Sequence, residues 1–297
     1  MKERQAKGYT FIFIAGCLWG AVGLFVNLLS GYGASTGTMV FLRLLTGAMW
    51  IAAFMLAAGG LKGFRIDKRG ILLCGLLGIL CQAMFNYAYT QAIGRIGMAT
   101  AAVLLYTSPI FVCIMSRLFF KEAIGRQKVA GLVVNIIGCI LTVTGGNLSE
   151  MEFSVFGVVI GVTAGFLYSL LAIFGTVAKD YDSMTVTFYS FLLGAVVMGA
   201  AANPWAEIAV TASPAFVITA LGYGLVSTAG AYCIYMKGLS FDLETSKVPV
   251  VASVETVVAA VIGLAVLHED FSLWKLAGIV LVLCSIAVMN LSGRKTE

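Results

Sequence analysis

Glu255 stands near the middle of a long apolar run, in Ser253-Val254-Glu255-Thr256, with no other acid within ten residues. An ionised group at the centre of a helix in hydrocarbon costs at least about 2.5–3.5 kcal/mol, so such a residue calls for a reason. A carboxylate there can bind a cation, exchange a proton or pair with a base, and each of these stays open. Lys247 lies two turns earlier in the same run, and Glu244 is spaced to pair with it at i, i+3. Arg43, in Phe41-Leu42-Arg43, sits about two turns into a different run. It can snorkel outward or hold a carbonyl or carboxylate, whereas Arg117, close to the end of its run, is expected to snorkel.

Neutral groups form a second set. Gln82, Asn86 and Tyr89 recur at i, i+4 and i+7 and so share one helix face. A similar stripe, Thr228, Tyr232 and Tyr235, follows much later in the chain. Two polar stripes suit two walls of one cavity, with interhelical hydrogen bonding as the plainer alternative. Trp19, Tyr106 and Tyr168 lie inside apolar runs, away from the interfacial level where aromatic residues usually anchor. Their faces beside an acid would suit an organic cation, although core packing is the default reading for any one ring taken alone.

Other chemistry lacks its residues. There is one histidine, His268, and the seven cysteines show neither CxxC nor metal-ligand spacing. No GxxxxGK[ST] loop is present to hold a nucleotide. No cofactor or metal is therefore expected, and scattered acids do not assemble a membrane-embedded enzyme.

The elements that must position these groups are apolar. Of 297 residues 60% are hydrophobic and 11% charged, and the mean hydropathy is +0.99. A soluble domain would carry about 25% charged residues. Runs of about 20 residues, enough to cross a bilayer core, are placed near 8–29, 36–58, 70–92, 98–120, 126–145, 154–177, 184–202, 213–237, 244–267 and 272–292. The first lacks the small-residue cleavage site of a signal peptide. The expected class is an all-α membrane protein with ten transmembrane helices and the lipid bilayer as its surroundings.

Basic residues set an orientation. With the N-terminus (Lys2, Arg4, Lys7) in the cytoplasm, that side also receives Lys62, Arg65, Lys68, Arg69, Lys121, Arg126, Lys128, Lys179, Lys237, Arg294 and Lys295. The other side receives Arg95 and Lys275. Both termini are thus expected inside a bacterial cytoplasmic (inner) membrane. The net charge of +5 reflects this sorting, and no nucleic-acid partner is expected.

The sequence also matches itself at an offset of 147 to 149 residues. Ala15-Gly16-Cys17-Leu18-Trp19 aligns with Ala164-Gly165-Phe166-Leu167-Tyr168, and the segment from Phe41 to Ala48 with that from Phe188 to Ala195. Lys121-Glu122 aligns with His268-Glu269, and Lys128-Val129-Ala130-Gly131 with Lys275-Leu276-Ala277-Gly278. Tyr106 then corresponds to Ser253. Five spans per half is odd, so the halves, 1–147 and 154–297, are expected to lie inverted, as in many secondary transporters.

The motifs Ala15 to Gly20, Phe41-Leu42-Arg43, Ser108-Pro109 followed by Glu122, Ala130-Gly131, and in the second half Glu269 and Ala277-Gly278 resemble the drug/metabolite transporter superfamily, in its EamA-type ten-helix form. The chain departs from that pattern at Thr256, where a proline often stands, with Pro249 two turns earlier. The resemblance implies a basket of helices 1–4 and 6–9 around a central cavity, with 5 and 10 peripheral, and alternating access by rocking halves. It also implies a structural or gating role for Arg43. The function expected is secondary transport, with export the commoner direction, of a small metabolite such as an amino acid, amine or quaternary ammonium compound. An uptake carrier for an organic cation such as choline is the alternative, and a channel or membrane enzyme a weaker one. Trp19, Gln82, Asn86, Tyr89, Tyr106, Tyr168, Thr228, Tyr232 and Glu255 are the expected cargo contacts. Arg43, Lys247 and Glu255 are expected in coupling or gating, in a monomer or homodimer.

Overall fold

The structure, a computed structural model, describes residues 2–147, 154–267 and 272–291. His268 and Glu269 of the repeat match, and the basic residues Arg294 and Lys295, lie outside them. Among the described residues there is no strand. Nine helices are long and apolar enough to cross a membrane: α1 (Glu3–Gly31), α2 (Thr36–Ala58), α3 (Lys68–Met98), α4 (Thr100–Phe119), α5 (Arg126–Thr144), α6 (Val155–Val177), α7 (Ser183–Ala202), α8 (Pro214–Leu239) and α9 (Thr245–Ala265). A further helix, α10 (Leu273–Leu291), has a shorter apolar stretch. Several helices outrun the apolar segments read from the sequence. α1, for example, begins among polar residues, where Glu3 and Lys7 pair at 3.2 Å one turn apart.

Helix starts follow from side chains that satisfy the free N–H groups of a first turn. Ser35, Asp67, Ser154, Asp182 and Ser213 each accept from the N–H three residues on, at the heads of α2, α3, α6, α7 and α8. Gly145 and Asn203, both left-handed, end α5 and α7. The chain runs up and down, so one face collects the N-terminus, the head of α5, the tail of α8 and the head of α9. Here it is called the N-terminal face.

α2 packs on α7, α1 on α8 and α9, and α6 on α3 and α4, while α5 and α10 pair with each other at one side. Three spanning helices are interrupted among the described residues: α1 at Ala21 (ψ −4°), between Lys2–Gly20 and Val22–Gly31, and α4 and α9 in mid-span. In α4 the backbone leaves the helix at Tyr106 (ψ 6°) and restarts as Ser108–Phe119, with Pro109 in its first turn. Proline fits there because first-turn N–H groups have no intrahelical acceptor. In α9 the break falls at Ser253 (ψ −5°), between Val248–Ala252 and Val254–Ala265. Thr256 holds this break without a proline: its N–H and its hydroxyl both reach the Ser253 carbonyl, at 3.0 and 2.8 Å. Helix α9 therefore turns at Ser253 rather than at Pro249.

Two glycines bring neighbours to these breaks. A Cβ on Gly16 of α1 would stand 2.6 Å from the Ala252 carbonyl oxygen, and one on Gly165 of α6 would stand 2.9 Å from that of Leu104. Both approaches are backbone to backbone, so no side chain can move aside. Gly16→Val is expected to push α1 off α9, costing about 1–3 kcal/mol by overpacking. Thermal unfolding in detergent would reveal the loss; an unchanged midpoint would contradict it.

Candidate functional site

The breaks in α4 and α9 face each other across a small cavity. It is lined by Trp19 of α1, Tyr106 and Ser108 of α4, Tyr168 and Ser169 of α6, Tyr235 of α8, and Ser253 and Glu255 of α9, with apolar groups between. It leaves about 30 Å³ for the centre of a water molecule, room for one or two waters and far too little for a metabolite. The conformation is closed.

Glu255 occupies the first turn of the half-helix Val254–Ala265, and Ser108 opens the half-helix Ser108–Phe119. Both helix starts direct N–H groups and the positive dipole end toward the cavity, which favours a carboxylate there. Glu255 makes no hydrogen bond or ion pair among the described residues and meets the cavity between Trp19, Tyr106, Tyr168 and Tyr235. An uncommitted carboxylate beneath four aromatic rings can take an ammonium group or a proton.

The structure therefore brings Trp19, Tyr106, Tyr168 and Glu255 together. It places the other expected contacts elsewhere. Gln82, Tyr232 and Arg43 form a hydrogen-bonded chain behind Trp19: the Arg43 guanidinium donates to Tyr232 Oη at 3.3 Å, and that hydroxyl donates to Gln82 Oε1 at 3.4 Å. Tyr232 meets Trp19 edge-on at 4.9 Å. Asn86 Nδ2 donates to the Gln82 carbonyl, and Thr228 Oγ1 to that of Tyr223. Tyr89 stacks on Phe85, which stacks on Tyr168. Arg43 is 7% exposed, so it does not snorkel.

Lys247 is 3% exposed and pairs with Glu244 at 2.7 Å, at the N-terminal face. The same Glu244 also pairs with Lys128 of α5, and its N–H donates to the Tyr9 hydroxyl. Glu122 meanwhile accepts from the Thr245 and Ser246 N–H groups, at 2.5 and 3.1 Å, and from the Ser246 hydroxyl. It thus caps the start of α9 from the α4–α5 loop. Two cations and two carboxylates so close this face between segments more than 100 residues apart. On the opposite face Glu207, in the short helix Trp205–Thr211, accepts from the Ser35 N–H and hydroxyl and from the Thr38 hydroxyl. In the sequence Glu122 and Lys128 stand out only as motif and repeat residues, and Glu207 not at all.

The comparisons with known proteins follow this geometry. The family description for EamA-like transporters matches residues 6–144 and again 155–291. An uncharacterized transporter of Archaeoglobus fulgidus is 27% identical, over 95% of both chains. The uncharacterized inner membrane transporter YicL of Salmonella typhimurium is 24% identical over 97% of both. The pseudopaline exporter CntI of Pseudomonas aeruginosa is 27% identical over 65% of this chain and 64% of its own. A solved crystal structure superposes with a TM-score of 0.82 at 17% identity, covering 98% of this chain and 100% of that one, a likeness of fold alone.

Two outcomes test the closing contacts. Removing the cap by Glu122→Ala leaves two partly buried N–H groups and Lys128 short of a partner, costing about 1.5–3 kcal/mol in thermal unfolding. Burial pushes the Glu244 carboxyl up, but hydrogen bonds and charge from Lys128 and Lys247 outweigh this and hold it below its usual 4.5. A carboxyl lowered in the folded state stabilises above its unfolded value, and that contribution is lost as pH falls through the lower folded value. Stability should thus decline below about pH 4.5, and Glu244→Gln should flatten that decline.

Proposed function

The chain belongs to the EamA-like transporter family, and we propose that it works as a secondary carrier whose cargo passes the cavity at Glu255. It is a multi-pass membrane protein that transports, not an enzyme. In our reading all ten helices cross the bilayer as two inverted halves, 1–147 and 154–297. Both termini face the cytoplasm, and the bilayer is a bacterial inner membrane. The twofold family match, the paired breaks in α4 and α9 and the paired glycines Gly16 and Gly165 support this arrangement.

The observation that carries the proposal is Glu255: a carboxylate without a partner, on a half-helix start, in an aromatic cavity walled by both halves. Discontinuous helices meeting at a repeat interface are where transporters of this kind build their sites. The closed cavity calls for a conformational change, and the contacts at the two faces supply a gate for each side. Breaking Glu122, Lys128 and Lys247 from their partners opens one; breaking Glu207 from Ser35 opens the other. Cargo of the amino acid, amine or quaternary ammonium class fits an acid among rings, and a proton exchanged at Glu255 would couple transport to the membrane gradient. Export is the direction we favour, supported by the exporter among the relatives; the same aromatic walls would also serve an uptake carrier for an organic cation such as choline.

Glu255→Gln tests the site. In proteoliposomes the variant should lose at least about tenfold in saturable counterflow, equal to about 1.4 kcal/mol, while remaining folded and extractable in detergent. Undiminished and equally pH-dependent transport would refute the role.

A further inference from the structure

Arg43 is also a buried charge, and among the described residues its surroundings differ from those of the other two buried cations, Lys128 and Lys247. Lys128 and Lys247 share the carboxylates of Glu244 and Glu122. Arg43 has no acid partner among the described residues. Its Nη atoms donate to two neutral hydroxyls at the long end of the hydrogen-bond range, Tyr223 at 3.4 Å and Tyr232 at 3.3 Å. Its Cζ lies over the Tyr223 ring, 5.7 Å from the centroid, and its buried Nε has no acceptor among the described residues. A guanidinium cannot give up its proton in a protein, so this position carries a full positive charge in every state of the cycle.

One aromatic contact away, a second buried donor is also without an acceptor. Trp19 Nε1 makes no hydrogen bond, although Trp19 is 7% exposed and lines the cavity with Glu255. Among the described residues four buried donors lack an acceptor, Arg43 Nε, Trp19 Nε1 and the hydroxyls of Thr100 and Ser227; the first two lie on either side of Tyr232, beside the cavity that holds the Glu255 carboxylate. The frame that joins them is continuous: Arg43 to Tyr232 by hydrogen bond, Tyr232 to Trp19 ring against ring, and Trp19 to Glu255 across the cavity.

We infer that Arg43 takes the carboxylate of a dipolar cargo whose cationic end is held by Glu255. This rests on the carrier reading above and, among its amino acid, amine and quaternary ammonium classes, selects dipolar molecules whose two charges lie far apart. Tyr232 stands between the guanidinium and Trp19, whose ring lines the cavity, so the two charges belong at opposite ends of an extended molecule, such as an ω-amino acid or a dipeptide, not on adjacent atoms. In the closed conformation the hydroxyls of Tyr223 and Tyr232 occupy the guanidinium. On opening, the carboxylate replaces them with a bidentate, charge-assisted pair, the geometry arginine favours.

The test uses the purified full chain in detergent and chloride-free buffer, with thermal stability read against three matched probe sets. These are ω-amino acids of increasing length with a mixture of dipeptides, the methyl esters of the same compounds, and the corresponding amines without a carboxyl group. A ligand that binds the folded state raises the midpoint by mass action. Zwitterions should stabilise at concentrations at least about tenfold lower than their esters or amines. Arg43→Gln should erase that advantage while changing the response to esters less than about twofold. Arg43→Lys, which keeps the charge but not the fork, should retain part of it. Esters or amines matching the zwitterions in the unaltered protein would overturn the inference, as would no response to any zwitterion, or full stabilisation by chloride alone. The unaltered protein decides this even if Arg43→Gln fails to fold. Glu255→Gln in parallel separates the two claims. If it loses every cationic probe while Arg43→Gln changes nothing, only the role of Arg43 fails; if it binds all probes as before, the carrier site itself fails.

Discussion

A polar group in hydrocarbon must find its partner within the protein, and this constraint arranges the molecule. Backbone N–H and C=O groups meet it by staying helical, since an unsatisfied one costs several kcal/mol away from water. The chain breaks that rule in mid-span at Tyr106 in α4 and at Ser253 in α9, and both breaks look onto the same cavity. Irregular backbone at that depth is tolerated where it lines a cavity and not where it meets lipid. At the breaks the N–H groups of Tyr106, Thr107, Ser253 and Thr256 are met by nearby carbonyls, and Glu255 sits where one of the new helix starts favours a negative charge.

The same constraint separates the charged residues by task. Lys128, Lys247, Glu122 and Glu244 satisfy one another at the N-terminal face and tie the α4–α5 loop to the start of α9. Glu207 does the equivalent at the opposite face with hydroxyls and an N–H. In the cycle proposed above these contacts hold the closed state and are exchanged for water when a face opens. Arg43 and Glu255, lying between the two faces, have no such partners among the described residues. Close backbone approaches at Gly16 and Gly165 hold α1 and α6 directly against the breaks in α9 and α4.

Much of this is legible in the sequence because hydrocarbon leaves so few alternatives. A lone acid in an apolar run marks Glu255 at once, and spacing alone pairs Glu244 with Lys247. The repeat match pairs Gly16 with Gly165 and Tyr106 with Ser253, but that the helices break at the second pair is not read from it. Long-range reach is not legible: nothing near Lys128 or Glu122 indicates that Glu244 and Ser246 will be their partners. The stripe of Gln82, Asn86 and Tyr89 shows a different limit. Helix α3 carries a π-helical stretch at Leu77–Met84, as α8 does at Gly224–Gly230. A wider turn shifts the face that a 3.6-residue spacing projects, and Gln82 ends up bonded to Tyr232 rather than lining the cavity. At Thr256, where a proline is expected, a side-chain hydroxyl holds the same bend, a substitution of means that residue type alone does not disclose.

The central claim is that one cavity is reached alternately from two faces, each closed by its own contacts. It is tested most directly with a cysteine at Ser169, a cavity residue, in a variant otherwise free of cysteine. A membrane-impermeant thiol reagent is applied from either side of sealed vesicles. With Glu122→Gln and Lys128→Met the cysteine should be labelled from the N-terminal face, and with Glu207→Gln from the opposite face, each to the exclusion of the other. Labelling of both variants from the same side, or of either from both sides at once, would contradict the account.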